Sequence, residues 1–222
     1  MAPDSPRPAK TTVEGMVVAA SALGPKLAAR RAEAQSLKRL PDETITDLID
    51  LGLINACKPA RFGGPELPFG SHTDVAMELA RHCPSTGWVA GILGSHEWWL
   101  AKCSPEAQEE IWGADPRAWV AGAFAFIKAQ ATPVDGGYKL SGEWVFASGV
   151  IAEGWFAVMV HMPQDDGTTV PTMMIVPSAD FRINPVWDPP GLAGTGSNNV
   201  IIDDVFVPEH RTVSFLELNK RK

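Results

Sequence analysis

The sequence predicts an α+β protein, with an all-α N-terminal domain over 1–115 followed by an antiparallel β-barrel-like or sandwich domain over 116–212. Three observations predict it. Apolar residues recur at spacings of three and four before residue 115, they alternate with turn punctuation after it, and the helical and strand patterns do not interleave. At 222 residues and 45% hydrophobic content, the chain is long and apolar enough to bury a real core.

The helical elements come first. Val13, Val17, Ala20, Leu23 and Leu27 form one stripe on a helix expected to kink at Pro25 and to run on towards Leu37. Pro41 with Asp42 and Glu43 suits the first turn of a second helix, Ile45, Leu48 and Ile49 its buried face, and Gly52 its stop. Ser71 and Asp74 read as a capping box opening a third helix through Leu79. A very apolar helix is expected from Pro84 to Lys102, carrying Trp88, Ile92, His96, Trp98 and Trp99. Gly87, Gly91 and Gly94 each cost it about 1 kcal/mol relative to alanine, so they imply close packing or the approach of a ligand. Ser104-Pro105-Glu106 starts a short helix ending near Gly113.

Beyond Asp115-Pro116, strands are expected over 118–132, 138–146, 154–161, 169–176, 181–186 and 200–207. Asp135-Gly136-Gly137 is hairpin chemistry, and Tyr138, Leu140, Gly142, Trp144 and Phe146 share the mostly apolar face of the strand that follows. The bulky residues then stop at Ala147-Ser148-Gly149, where the backbone lies uncovered and a flat ligand could approach. Spacing alone reads this more readily as an ordinary strand end with a polar turn.

Net charge -7 and a pI near 5.2 argue against binding nucleic acid, whose phosphates such a chain would repel. The basic tail Asn219-Lys220-Arg221-Lys222 reads as a solvated end. Met1–Pro8 lacks the apolar run of a signal peptide and no later stretch approaches a membrane span, so a soluble, cytoplasmic protein is expected. Cys57, Cys83 and Cys103 read as buried thiols, and neither they nor the five histidines have metal-ligand spacing. The Gly191-Leu192-Ala193-Gly194-Thr195-Gly196-Ser197-Asn198-Asn199 run resembles a phosphate loop, but a strand follows where a dinucleotide site needs a helix. Its small hydroxyl residues suit either a surface loop or the edge of a pocket. His96 beside the tryptophans reads more readily as a packed residue than as a catalyst.

Five stretches in this order carry a resemblance: RLPDETITDLIDLGL at 39–53, PARFGG at 59–64, CPSTGWVAGILGSHEWWLA at 83–101, GGYKLSGEWVFASG at 136–149 and GLAGTGSNNVIIDDVFVPEHRT at 191–212. Together they resemble the acyl-CoA dehydrogenase superfamily, and within it the oxygenase components of two-component flavin-dependent monooxygenases. The ordered set is far more specific than any one motif.

The resemblance implies reduced FMN or FAD supplied by a separate flavin reductase, and oxygen transfer from O2 to a small aromatic substrate. It implies that the Ser148 hydroxyl lies beside flavin N5, that His96 acts in proton transfer or holds the substrate, and that Phe124, Ala125 and Phe126 line the ring. Trp88, Phe146 and Ala147 complete the expected cofactor wall. Ala193 stands where many members carry arginine, in a loop preceded by Pro189-Pro190. On this resemblance the C-terminal four-helix bundle of such proteins is expected to be missing, with residues 213–222 read as the truncated start of that region. A homo-oligomer or a complementary C-terminal chain is therefore expected to finish the pocket. The alternatives are an acyl-CoA dehydrogenase-like flavoenzyme and a non-catalytic split-gene subunit acting through a partner.

Overall fold

The computed structural model describes residues 11–150, 154–164 and 166–218. The expectations for Met1–Pro8 and for the basic tail lie outside the described residues. The described helices are α1 (Val13–Ala29), α2 (Arg31–Leu37), α3 (Asp42–Asp50), α4 (Ser71–His82), α5 (Pro84–Lys102), α6 (Pro105–Gln108) and α7 (Phe215–Leu218).

Helix α1 continues past Pro25 to Ala29, and the break before α2 falls at Arg30 rather than at the proline. The Arg30 guanidinium bonds Asp47 at 2.7 Å, which fixes the break against α3. Ser71 is likewise not a cap: Gly70 holds the N-cap position, while Ser71 is the first helical residue and is buried. Ser104 does cap α6, accepting from the Ala107 amide at 3.1 Å, and the chain then continues as a π-turn over Glu109–Gly113. The three glycines of α5 all face α4. A Cβ on Gly87 would lie 2.5 Å from Ala80, on Gly91 3.3 Å from Ala76, and on Gly94 2.9 Å from His72. Helix packing, not ligand approach, accounts for them.

The strands are β1 (Val120–Ala123), β2 (Phe126–Val134), β3 (Gly137–Ala147), β4 (Trp155–Pro163), β5 (Thr169–Pro177), β6 (Arg182–Asn184), β7 (Asn198–Pro208) and β8 (Thr212–Ser214). They form two four-stranded sheets, β1-β4-β5-β8 and β2-β3-β7-β6. The strand expected over 118–132 is two strands, one in each sheet, with Phe124-Ala125 crossing between them. The pairing is antiparallel except that β1 runs parallel to β4. Asp135-Gly136 closes the expected hairpin, with Gly136 at φ 74° and Val134 paired to Gly137.

The sheets face each other across a core that includes Leu140, Trp144, Phe156, Val158 and Val200, and the fully buried Trp144 donates its indole N–H to the Met159 carbonyl at 2.8 Å. On the other side of the first sheet, Trp112, Ile111 and Leu100 pack against Ala157, Met173 and Ile175. Glu110 joins the π-turn to the end of the β-region: it accepts from Arg211 and bonds His210 at 2.9 Å. Cys57, Cys83 and Cys103 are all buried, and none of the three forms a disulfide among the described residues.

Candidate flavin site

The Ser148 turn owes its shape to a bulge. The register of β3 against β7 shifts between Trp144 and Ala147, and Phe146 sits at φ 60°, a region non-glycine residues rarely occupy. The alternation of β3 therefore fails at its last step. Phe146, expected on the buried face, turns outward to 63% exposure and meets Trp187 edge-on at 6.3 Å, while Ala147 turns in. Gly149, at φ 72°, lets the chain leave the strand directly beneath α5, where an added Cβ would meet Val89 at 2.9 Å. Its amide donates to the Thr195 carbonyl at 2.9 Å. The turn is thus clamped between α5 and the 3-10 turn Ala193–Thr195.

Ser148 is buried at 5% exposure, and its hydroxyl accepts the Trp88 indole N–H at 2.9 Å. It also bonds the Ser197 hydroxyl at 2.8 Å, which bonds Thr195 Oγ1 at 2.7 Å, and Thr195 Oγ1 donates to the Leu192 carbonyl at 2.9 Å. Sequence reading found Ser148 and marked the hydroxyl loop only as a possible pocket edge. It did not find the connection between them, nor Trp88 as a donor, because a hydrogen bond across 60 residues leaves no local signal.

His96 lies eight residues beyond Trp88 on α5, about 12 Å along the helix axis. Its ring is buried against Gly122 of β1, where a Cβ would stand 3.0 Å from Cε1. Nδ1 lies 2.9 Å from the Val120 carbonyl, so Nδ1 carries the proton and Nε2 is the acceptor. Burial pushes its pKa down to about 4, outweighing the backbone hydrogen bond that raises it. Phe124 stands over it at 5.8 Å between centroids. The structure therefore brings the expected residues together as two pairs, Trp88 with Ser148 and His96 with Phe124. Trp88, Phe124 and Phe146 leave large aromatic areas exposed, while Ala125 is exposed at the sheet crossing and Phe126 is half-buried against His161.

Behind His96 lies a constellation no sequence signal pointed to. Glu97 is fully buried with neither carboxylate oxygen hydrogen-bonded, and burial raises its pKa to about 8 against the pull of Lys58. Lys58, also buried, donates to the Pro116 carbonyl and lies 5.1 Å over the Trp112 ring. Burial lowers its pKa, and the Glu97 charge opposes that. The Trp112 N–H lies close enough to lower the pKa of Glu97 but falls outside hydrogen-bond geometry.

A cavity of about 890 Å3 is offset from these pairs and is lined by Lys38, Arg39, Val150, Ile183, Trp187 and Asn198 among others. A smaller one of about 310 Å3 reaches Phe146 and Ser197. Volume does not identify the site. The larger cavity's cations are already paired, Lys38 with Asp188 and Arg39 with Asp42.

Helices followed by two packed sheets, with a hydroxyl-bearing turn against an aromatic helix, define a class, and residues 18–115 match the family described as acyl-CoA dehydrogenase, N-terminal domain. That stretch is an acyl-CoA dehydrogenase N-terminal domain. The relatives that the chain resembles along most of its length are oxygenase components. The oxygenase component of an FADH2-dependent resorcinol hydroxylase from Rhizobium sp. is 40% identical over 184 residues, covering 82% of this chain and 45% of the relative. The oxygenase subunit HsaA of a flavin-dependent monooxygenase from Rhodococcus jostii is 38% identical over 195 residues, covering 87% and 50%. The solved HsaA monooxygenase from M. tuberculosis superposes with a TM-score of 0.89 at 34% identity, covering 95% of this chain and 55% of that one. XiaF from Streptomyces sp., solved with FADH2 and glycerol, gives 0.84 at 30% identity, covering 93% and 52%. The chain spans about half the length of the relatives it matches.

Proposed function

We propose that this chain forms the N-terminal and central β-portions of the oxygenase component of a two-component flavin-dependent monooxygenase acting on a small aromatic substrate. The observation that carries this is the Ser148 turn: a buried hydroxyl fixed by Trp88 and Ser197, flanked by Ala147 and Gly149 and edged by exposed aromatic faces. A planar ring with a polar edge fits such a cradle, with apolar walls for its faces and a positioned hydroxyl for its rim. The residues present thus suit a flavin. Ser148 would meet its N5 edge, Trp88, Phe124 and Phe146 its faces, and the backbone of Ala125, Phe126 and Ala147 its periphery. Bound in reduced form after delivery by a separate reductase, FMN or FAD would supply the activation of O2.

The chain's own residues set the rest. His96 is neutral at neutral pH, with its proton held on Nδ1 by Val120, so Nε2 is the atom offered to a substrate hydroxyl. A pKa near 4 lies about six units below that of an ordinary phenol, and full proton transfer would then cost roughly 8 kcal/mol. His96 therefore orients a phenolic hydroxyl by accepting its hydrogen bond, and it takes the proton only as the phenol becomes more acidic along the reaction. The buried Gly149 clamp keeps water from reaching Ser148 from behind. The open side, where Trp88 and Phe146 lie exposed, is the face that a second copy or a complementary helical segment would close.

Reduced-flavin-dependent hydroxylation by a complex containing this chain tests the reading. Ser148→Ala should raise peroxide release at the expense of product, and His96→Ala should lower hydroxylation by roughly 100-fold. Unchanged coupling and rate in both variants would remove the assigned roles.

A further inference from the structure

The Ser148 hydroxyl has a direction. The Leu192 carbonyl can only accept, so Thr195 gives it its proton at 2.9 Å. Thr195 Oγ1 is then an acceptor towards Ser197 at 2.7 Å, and Ser197, its proton committed there, is an acceptor towards Ser148 at 2.8 Å. At the other end the Trp88 indole N–H can only donate, and it donates to Ser148 at 2.9 Å. The Leu192 end sets the order, and the Trp88 end is compatible with it because the indole takes a lone pair of Ser148 and leaves its proton for Ser197. The three hydroxyls are buried at 5%, 4% and 2% exposure for Ser148, Ser197 and Thr195, so bulk water does not compete for their protons. A hydroxyl has one proton and two lone pairs. Ser148 gives its proton to Ser197 and one lone pair to Trp88, and what it has left for a ligand is a lone pair.

We propose that Ser197 and Thr195 are positioning residues that hold Ser148 as a hydrogen-bond acceptor, so that the turn selects a reduced flavin, which carries a proton on N5, over an oxidised one. This rests on the flavin reading above. The N5–H of a reduced ring donates to the lone pair of Ser148. The bare N5 of an oxidised ring faces it lone pair to lone pair. One net hydrogen bond gained in one redox state and absent in the other corresponds to about a tenfold preference, equivalent to about 30 mV for a two-electron couple. That bias suits a protein that takes up reduced flavin and lets go of oxidised flavin.

Two measurements on the full chain test this. Neutron diffraction from deuterated crystals, without flavin, should place the Ser148 deuteron on the line to Ser197, the Ser197 deuteron towards Thr195 and the Thr195 deuteron towards the Leu192 carbonyl. The reverse order would overturn the positioning role. Anaerobic titrations with FMN and FAD in both redox states should then give a ratio of oxidised to reduced Kd that falls about tenfold in Ser197→Ala and in Thr195→Val. In each variant the proton of Ser148 is free to turn into the pocket and to bond the oxidised ring. Ser197→Thr, which keeps the hydroxyl, should restore the ratio. A merely structural loss would weaken both redox states together, and an unchanged ratio in the two hydroxyl-deleting variants overturns the proposal. Failure of the unaltered chain to bind flavin in either state would instead refute the flavin reading, and the redox preference with it, while the proton order is decided separately by the deuterons.

Discussion

His96 should make the fold sensitive to mild acid. An ordinary histidine takes up a proton near pH 6.5, but burial between α5 and Gly122 holds this one unprotonated down to about 4. Between those values the unfolded chain binds a proton that the folded chain refuses, so this contribution to stability is full above pH 6.5 and is lost as the pH falls to 4. The gap of about 2.5 units corresponds to about 3 kcal/mol. Urea unfolding of the wild type and of His96→Phe at half-unit steps from pH 7 to 4 isolates the contribution. The variant should show a pH-independent deficit of roughly 1–3 kcal/mol from the orphaned Val120 carbonyl. Upon that, the wild type should lose about 3 kcal/mol more than the variant across the window. Because all other titrating groups are common to both proteins, a difference that stays constant from pH 7 to 4 would refute the assignment of His96 as a buried neutral imidazole.

Glu97 should act in the opposite sense. Its folded pKa of about 8 lies above the ordinary carboxylate value, so the penalty of keeping the proton grows as pH rises from 4.5 to 8, and Glu97→Gln should gain roughly 1 kcal/mol per pH unit on the wild type there. A flat difference from pH 5 to 8 would sink this. Glu110 is held down to about 2, first by the hydrogen bond from Arg211, so its contribution is present above 4.5 and is lost as the pH falls to 2. Glu110→Gln should cost about 1–2 kcal/mol at pH 7 after allowing for its partial exposure, and nothing near pH 2, by chemical denaturation. Gly149→Ala places a Cβ at φ 72° against Val89 and should cost roughly 1–3 kcal/mol, with Trp88 fluorescence shifting as the turn moves.

Much of the fold was legible because it is written in local periodicity: the stripe of α1, the Ser104 cap, the hairpin at Gly136 and the strand after the Gly191–Asn199 loop are all decided by near neighbours. What local pattern missed was decided at long range. Phe124-Ala125 reads as strand, yet the chain changes sheets there because β1 pairs with β4 and β2 with β3. Phe146 fits the apolar alternation, and only the bulge opposite β7 turns it outward. Pro25 is a strong local breaker, but the helix breaks at Arg30, where Asp47 holds the side chain. At the site, Ser148 was reached through the motif set, whereas Ser197, Thr195 and Trp88 join it only by contacts between distant segments. The buried pair of Glu97 and Lys58, 39 positions apart, has no sequence signature at all.

The most direct measurement is a crystal structure of the chain with reduced FMN or FAD bound. The account predicts the ring against the turn, its N5 within hydrogen-bond distance of Ser148 Oγ and its faces met by Trp88, Phe124 and Phe146. A ring seated instead in the larger cavity between Lys38 and Trp187, with Ser148 untouched, would contradict it.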